Sequence, residues 1–162
     1  MTYYLVDGKN VSYVKQFRFV TEHLEQDCGG ILLIYVQKIE EGSKIFYSLN
    51  EYANDIGCIK WPSRGGRPER PVAFLHANLT EERKDEILSD TVALKIKILV
   101  ATSSVGSGVN LPIKTLLGWG FDSTATGIVQ ASGRCGRKPM ISKGTVVWVR
   151  NLNCMKGKLL HP

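Results

Sequence analysis

The feature that most constrains this chain is an alternation. Short runs rich in β-branched residues recur along it, separated by more polar stretches of helical length. Five runs stand out, Ile31 to Val36, Val72 to Leu75, Ile96 to Ala101, Thr115 to Trp119 and Thr145 to Val149, with a weaker one at Tyr3 to Val6. Runs that stay apolar at successive positions have no face to offer water, so they must be covered on both sides, as strands of parallel sheets are. The stretches between them predict helices at Tyr13 to Gln26, Ser43 to Tyr52, Glu81 to Ser89 and Thr124 to Cys135. The expectation is an α/β domain, a parallel sheet of about five to six strands with helices on both faces. Tyr3 to Val6 would be an additional edge or linker strand.

Local chemistry sharpens two of these boundaries. Thr80 can accept a hydrogen bond from the exposed amides that open a helix, and Glu81 and Glu82 place negative charge at the positive end of its dipole. From Ile59 to Pro71 the segment "IKWPSRGGRPERP" holds three prolines, two glycines and three arginines, which predicts an exposed loop. That loop is either a solvated insertion or a nucleic-acid contact.

Size and charge bound the rest. With 162 residues, 43% of them hydrophobic, the chain can bury one core, so one compact unit is expected. The excess of 21 Lys and Arg over 15 Asp and Glu, a formal charge of +6, favours a polyanionic partner such as nucleic acid or an anionic membrane surface. No apolar run reaches the roughly 20 residues of a membrane helix, and the first residues lack the basic-then-apolar plan of a secretion signal. An intracellular protein without a membrane partner is the expectation. Cys28, Cys58, Cys135 and Cys154 form no Cys-x-x-Cys pair, so no zinc or redox motif is signalled and no metal site is expected. The organisation reads as a linker strand and helix at 1–29, one domain at 30–150 and a tail at 151–162 that looks cut from something longer.

In an open parallel sheet, ligands gather beyond the carboxyl ends of the strands, where loops converge and helix N-termini meet anions. The loop after Ala101 runs Thr102, Ser103, Ser104, Val105, Gly106, Ser107, Gly108, Val109, Asn110, with hydroxyls and glycines that let amides approach a phosphate. A dinucleotide fingerprint fails here. Leu111 stands at the third glycine position, and Pro112 opposes a helix running on from the glycines. A glycine-bearing turn without a ligand is the plainer alternative. Further on, a helix from Thr124 to Cys135 would put Gln130 and Arg134 four apart, with Arg137 three further, so all three project from about one face. Gly133 and Gly136 thin the backbone between them. Such a face is either a fork-shaped receptor for phosphate oxygens or a solvated basic helix end.

Together "ILVATSSVGSGVNLP" and "QASGRCGR" resemble motifs five and six of superfamily-two helicases, and the spacing from Asn110 to Gln130 resembles the RecQ family. Upstream, "GGILLIYVQ" resembles the strand that opens the second motor domain. "VAFLHANLTEERKDEIL" resembles the following strand and helix. The four segments occur in the family's order over roughly Gly30 to Val149. Ski2-like helicases share the "GVNLP" wording but usually place a longer stretch before motif six. DEAD-box RNA helicases would show His-Arg-Ile-Gly-Arg-x-Gly-Arg where this chain begins with Gln130.

The resemblance implies a RecA-like domain of the P-loop NTPase type, the second motor domain of an ATP-dependent DNA helicase moving 3′ to 5′. It implies ATP with Mg2+ as cofactor, held mainly by a first RecA-like domain. Single-stranded DNA or a duplex junction would be the substrate, acted on in the nucleus in a eukaryote. Arg137 and Arg134 would face the γ-phosphate as arginine fingers, with Gln130 coupling that site to domain closure. Gly108 and Asn110 would lie near the ribose or the domain interface. Thr102 and Ser103 would touch the phosphates of a single strand; His76 matches the family's histidine in the second block and is either a packing or hydrogen-bonding residue or a DNA contact.

The sequence also departs from the family. It holds no Gly-x-x-x-x-Gly-Lys-Ser/Thr and no Asp-Glu-x-His, so these residues alone are expected not to turn over ATP. Lys138 and Pro139 stand where Asp-Gly usually follows the last arginine. The alternatives to a motor half are a nucleic-acid-binding remnant of a helicase, or half of an RNA helicase.

Overall fold

A computed structural model describes residues 2–8, 18–26, 28–60, 62–66, 68–102, 111–119 and 145–151. Their elements follow the order β1 (Thr2–Gly8), α1 (Arg18–Glu25), β2 (Ile31–Val36), α2 (Ile39–Asp55), β3 (Val72–Leu75), α3 (Glu81–Val92), β4 (Ile98–Ala101), β5 (Ile113–Trp119) and β6 (Thr145–Asn151). The strands form one six-stranded sheet in the order β1-β6-β5-β2-β4-β3. Every pairing in it is parallel. The expected α/β architecture is therefore present, and Tyr3 to Val6 lies within an edge strand paired in register with β6.

The unbroken apolar runs are explained by burial on two faces. Leu32, Ile34 and Val36 of β2 pack with Val20 and Leu24 of α1 and with Ile45, Leu49 and Ala53 of α2. The intervening Ile31 and Leu33 point the other way, into a second cluster with Leu99, Leu116 and Ile87 of α3. One face is thus covered by α1 and α2, the other by α3. Each fully buried Leu or Ile contributes about 1.5–3 kcal/mol by leaving water, which is what holds these short elements together. Among the described residues no helix is long and apolar enough to cross a membrane.

Thr80 caps α3 as expected, its hydroxyl accepting from the Arg83 amide at 3.2 Å. Other boundaries move. β4 begins at Ile98 because the amides of Lys95 and Ile96 bond the Asp90 carbonyl and those of Lys97 and Ile98 bond Pro71. β5 begins two residues before Thr115, at Ile113, where the pairing with β2 shifts register between Ile31 and Leu32. α2 is longer than expected at both ends, starting after Lys38, whose side chain makes no cap bond. Of the segment 59–71, Lys60, 62–66, Glu69 and Arg70 are exposed while Ile59 and Pro71 are buried, and an antiparallel bridge joins Lys60 to Glu69. The expected helix at 124–135 lies outside the described residues.

One polar pair is built into the core. His23 of α1 is 4% exposed, and its Nε2 lies 3.1 Å from Oγ1 of Thr115, itself buried on β5. Burial, and secondarily the positive charge of Lys114, hold His23 at a pKa of about 4, against weaker opposing effects of Glu22 and the Gly30 backbone.

Candidate nucleic-acid interface

The carboxyl ends of β3 and β4 are adjacent. Leu75 and Ala101 are partners in the parallel register, so the residues that follow them, His76 and Thr102, leave the sheet side by side. Neighbouring strands lie about 4.8 Å apart, which sets the scale of this juxtaposition. The Thr102 amide donates to the Leu75 carbonyl at 3.3 Å, tying the two strand exits together. Two segments far apart in sequence, the "HANL" block and the start of the hydroxyl-rich loop, thus meet on one edge of the sheet.

His76 is held by three neighbours. Its ring packs on Phe74, with centroids 4.6 Å apart. Its Nδ1 accepts from the Asn78 amide at 3.3 Å, and its carbonyl accepts from Leu79. With Nδ1 accepting, the neutral ring carries its proton on Nε2, which makes that nitrogen the donor available to a phosphate oxygen. The ring is half-buried, so it can both pack and present that edge. Thr102, by contrast, is 6% exposed and sits beneath the surface at the root of the loop.

Ser103, Gly108 and Asn110 lie outside the described residues, as do Gln130, Arg134 and Arg137. Among the described residues no three His, Cys, Asp or Glu side chains converge as metal ligands.

Gly42 is a residue the sequence reading passed over. It lies in the first turn of α2, and a Cβ built on it would stand 2.5 Å from Cζ of Phe74 and 3.0 Å from Cγ2 of Val36. The missing side chain lets the Phe74 ring lie against the helix, between Phe46 at 6.3 Å and His76. Gly42 therefore helps set the ring on which His76 rests. A lone glycine opening an amphipathic helix, opposite an aromatic strand residue, was the available signal.

Comparison with known proteins agrees with this architecture. The helicase conserved C-terminal domain family matches residues 15–139. The chain is 38% identical over 150 residues to the ATP-dependent DNA helicase Hel308 of Thermoplasma acidophilum, an alignment spanning 82% of this chain and 22% of that protein. To the ATP-dependent helicase wrn-1 of Caenorhabditis elegans it is 24% identical over 157 residues, 91% of this chain and 14% of the other. The chain thus spans under a quarter of the length of these relatives. In fold it superposes on the Mycobacterium smegmatis helicase Lhr, solved with single-stranded DNA and AMP-PNP, with a TM-score of 0.69 at 15% identity. That match covers 94% of this chain and 20% of the other. A family match over most of the chain, on a parallel sheet covered by helices on both faces, settles the assignment: the chain belongs to the helicase conserved C-terminal domain family, the second RecA-like domain of superfamily-two helicases.

Proposed function

We propose that the chain acts as the second motor domain of an ATP-dependent 3′ to 5′ DNA helicase of the RecQ type, gripping a single strand along the carboxyl edge of β3 and β4. The observation that supports this reading is that His76 and Thr102 follow directly on the paired strand ends Leu75 and Ala101, with the Thr102 amide bonded to the Leu75 carbonyl. Ser103 continues from Thr102 and supplies a hydroxyl and an amide, groups that suit phosphates and carry no base specificity. Thr102, being buried, anchors the root of that loop. DNA is favoured over RNA by the relative that is a DNA helicase and by the segment beginning at Gln130. The RecQ assignment rests on the spacing from Asn110 to Gln130. Such a substrate goes with an intracellular and, in a eukaryote, nuclear site of action.

The two domains would close around ATP held mainly by the partner domain, which would supply the γ-phosphoryl group that passes to water. On this chain, Arg137 and Arg134 offer planar donors to the charge that develops there, Gln130 relays the state of that site, and Gly108 and Asn110 border it. Binding by the isolated chain tests the strand-contacting half of the reading. Titrated into fluorescent oligo-dT at low ionic strength, it should bind weakly, without sequence preference and with steep salt dependence. His76→Ala should weaken that binding. Absence of binding at low salt, or sequence-specific binding indifferent to salt, would overturn the assignment of this edge.

A further inference from the structure

The opposite edge of the sheet, where β3 and β4 begin, carries chemistry that the motor motifs do not use. An open cleft of about 330 Å3 lies there, lined by Lys60, Lys95 and Lys97, with Glu69 the one carboxylate among its lining residues. Their backbones are fixed. The Lys60 and Glu69 amides exchange hydrogen bonds with each other's carbonyls, at 3.0 and 2.8 Å, and the Lys97 amide donates to Pro71 at 2.8 Å. Lys95 follows Leu94, which takes the left-handed conformation (φ 60) and turns the chain off the end of α3, so that the Lys95 amide bonds the Asp90 carbonyl at 2.9 Å.

These cations differ from three others on the surface. Lys44 pairs with Glu40, Arg83 with Glu86 and Lys84 with Glu81, whereas among the described residues no ion pair engages Lys60, Lys95 or Lys97. The same holds for Arg64 and Arg70, exposed on the adjoining loop. Residues 59–71 hold four basic residues against one glutamate, half of the chain's formal charge of +6. Among the described residues, positive charge is thus gathered around one cleft, outnumbering its single carboxylate and unpaired with it, and continued outward along a loop. A single small anion would need the cleft alone; the extension along the loop suits a chain of phosphates.

We propose that this cleft and its loop form a second nucleic-acid contact, taking phosphodiester groups of a strand on the edge opposite His76 and Thr102. The five strand steps from Lys97 to Thr102 put the two contacts about 16 Å apart. The inference rests on the nucleic-acid reading above but not on the strand-contacting loop. A motor domain holding a strand at both edges would keep its grip on one while the other releases.

The test compares the 162-residue chain with Lys60→Gln/Lys95→Gln/Lys97→Gln, titrated into oligo-dT by fluorescence anisotropy from low to moderate salt. Each lost single-strand phosphate contact should lower the log–log salt slope by about 0.7, so the triple variant should lose about 2 in slope and roughly 10-fold or more in affinity at low salt. Thermal unfolding of the variant should match the parent; if it does not, Lys97→Gln alone should show the single-contact change in slope. Unchanged DNA binding by folded variants would overturn the proposal. So would uptake of inorganic tripolyphosphate that the triple variant abolishes while DNA affinity stays intact, since the cleft would then be a small-anion site. Loss of binding with His76→Ala and not with the triple variant would sink this proposal and keep the preceding one. The reverse pattern would keep this one and sink the carboxyl-edge assignment.

Discussion

His23 makes stability depend on pH in a defined window. Its imidazole is 4% exposed, 3.1 Å from the Thr115 hydroxyl, and held at a pKa of about 4 by burial and by Lys114, against 6.5 for the free side chain. Above pH 6.5 neither the folded nor the unfolded chain binds the proton, and the contribution is full and flat. As pH falls from 6.5 to about 4 the unfolded chain takes up a proton that the folded chain refuses, so stability declines by about 1.4 kcal/mol per pH unit. Below 4 both states carry it. Across the window the loss is about 3 kcal/mol, a large share of the roughly 5–15 kcal/mol expected of a domain.

The perturbation is His23→Gln, which keeps an amide in place of the ring and cannot titrate. At pH 7 the variant should be less stable by about 1–2 kcal/mol, for an imperfectly replaced buried hydrogen bond. Near pH 4 the order should reverse, because only the parent has lost the 3 kcal/mol. Urea unfolding followed by circular dichroism, from pH 4 to 8, reads both curves, and their difference removes the titration of the carboxylates common to both. Parallel curves, with no crossover, would refute the claim that His23 folds as a neutral buried group.

Two further substitutions probe backbone and packing. Leu94→Gly should raise stability by about 1 kcal/mol, since a non-glycine residue in the left-handed region costs about 1–2 kcal/mol and Leu94, 39% exposed, has little packing to lose. Differential scanning calorimetry should show the midpoint rising by about 2–4 °C. Gly42→Ala gains about 1 kcal/mol of helix propensity but must displace the Phe74 ring, an overpacking cost of about 1–3 kcal/mol, so a net loss of up to about 2 kcal/mol is expected. A full propensity gain on chemical denaturation would mean that the ring yields freely and does not fix His76.

What the sequence made legible followed the physics of each signal. Strands buried on both faces announce themselves as unbroken apolar runs, which is why Ile31 to Val36 and Val72 to Leu75 were read to the residue. The Thr80 cap was equally direct, being one hydroxyl before two glutamates. Lys114 hid the start of β5, because a lysine inside a strand reads as an interruption; here its Nζ reaches the Cys28 carbonyl at 2.6 Å. α2 was read short because its ends are polar and Lys38 gives no capping signal. The strand order could not be read, since parallel crossovers leave no mark on which strands become neighbours. The meeting of His76 with Thr102 depends on that order, as does the gathering of Lys60, Lys95 and Lys97. Of the candidate site, the motif order was legible; the three-dimensional juxtapositions were not.

The central claim, that this domain completes an ATP-driven motor, is tested most directly at Arg137, with the domain joined to a competent first motor domain of the same family. A donor that meets charge developing only in the transition state should matter for turnover far more than for nucleotide affinity. Arg137→Ala should lower DNA-stimulated ATP hydrolysis by about 10²-fold or more while nucleotide Kd changes little. Lysine should rescue poorly, for want of a planar fork. Lys44→Ala, on an exposed face of α2 where Lys44 pairs with Glu40, is the control and should leave hydrolysis intact. Near-normal turnover in Arg137→Ala, with nucleotide affinity unchanged, would contradict the account.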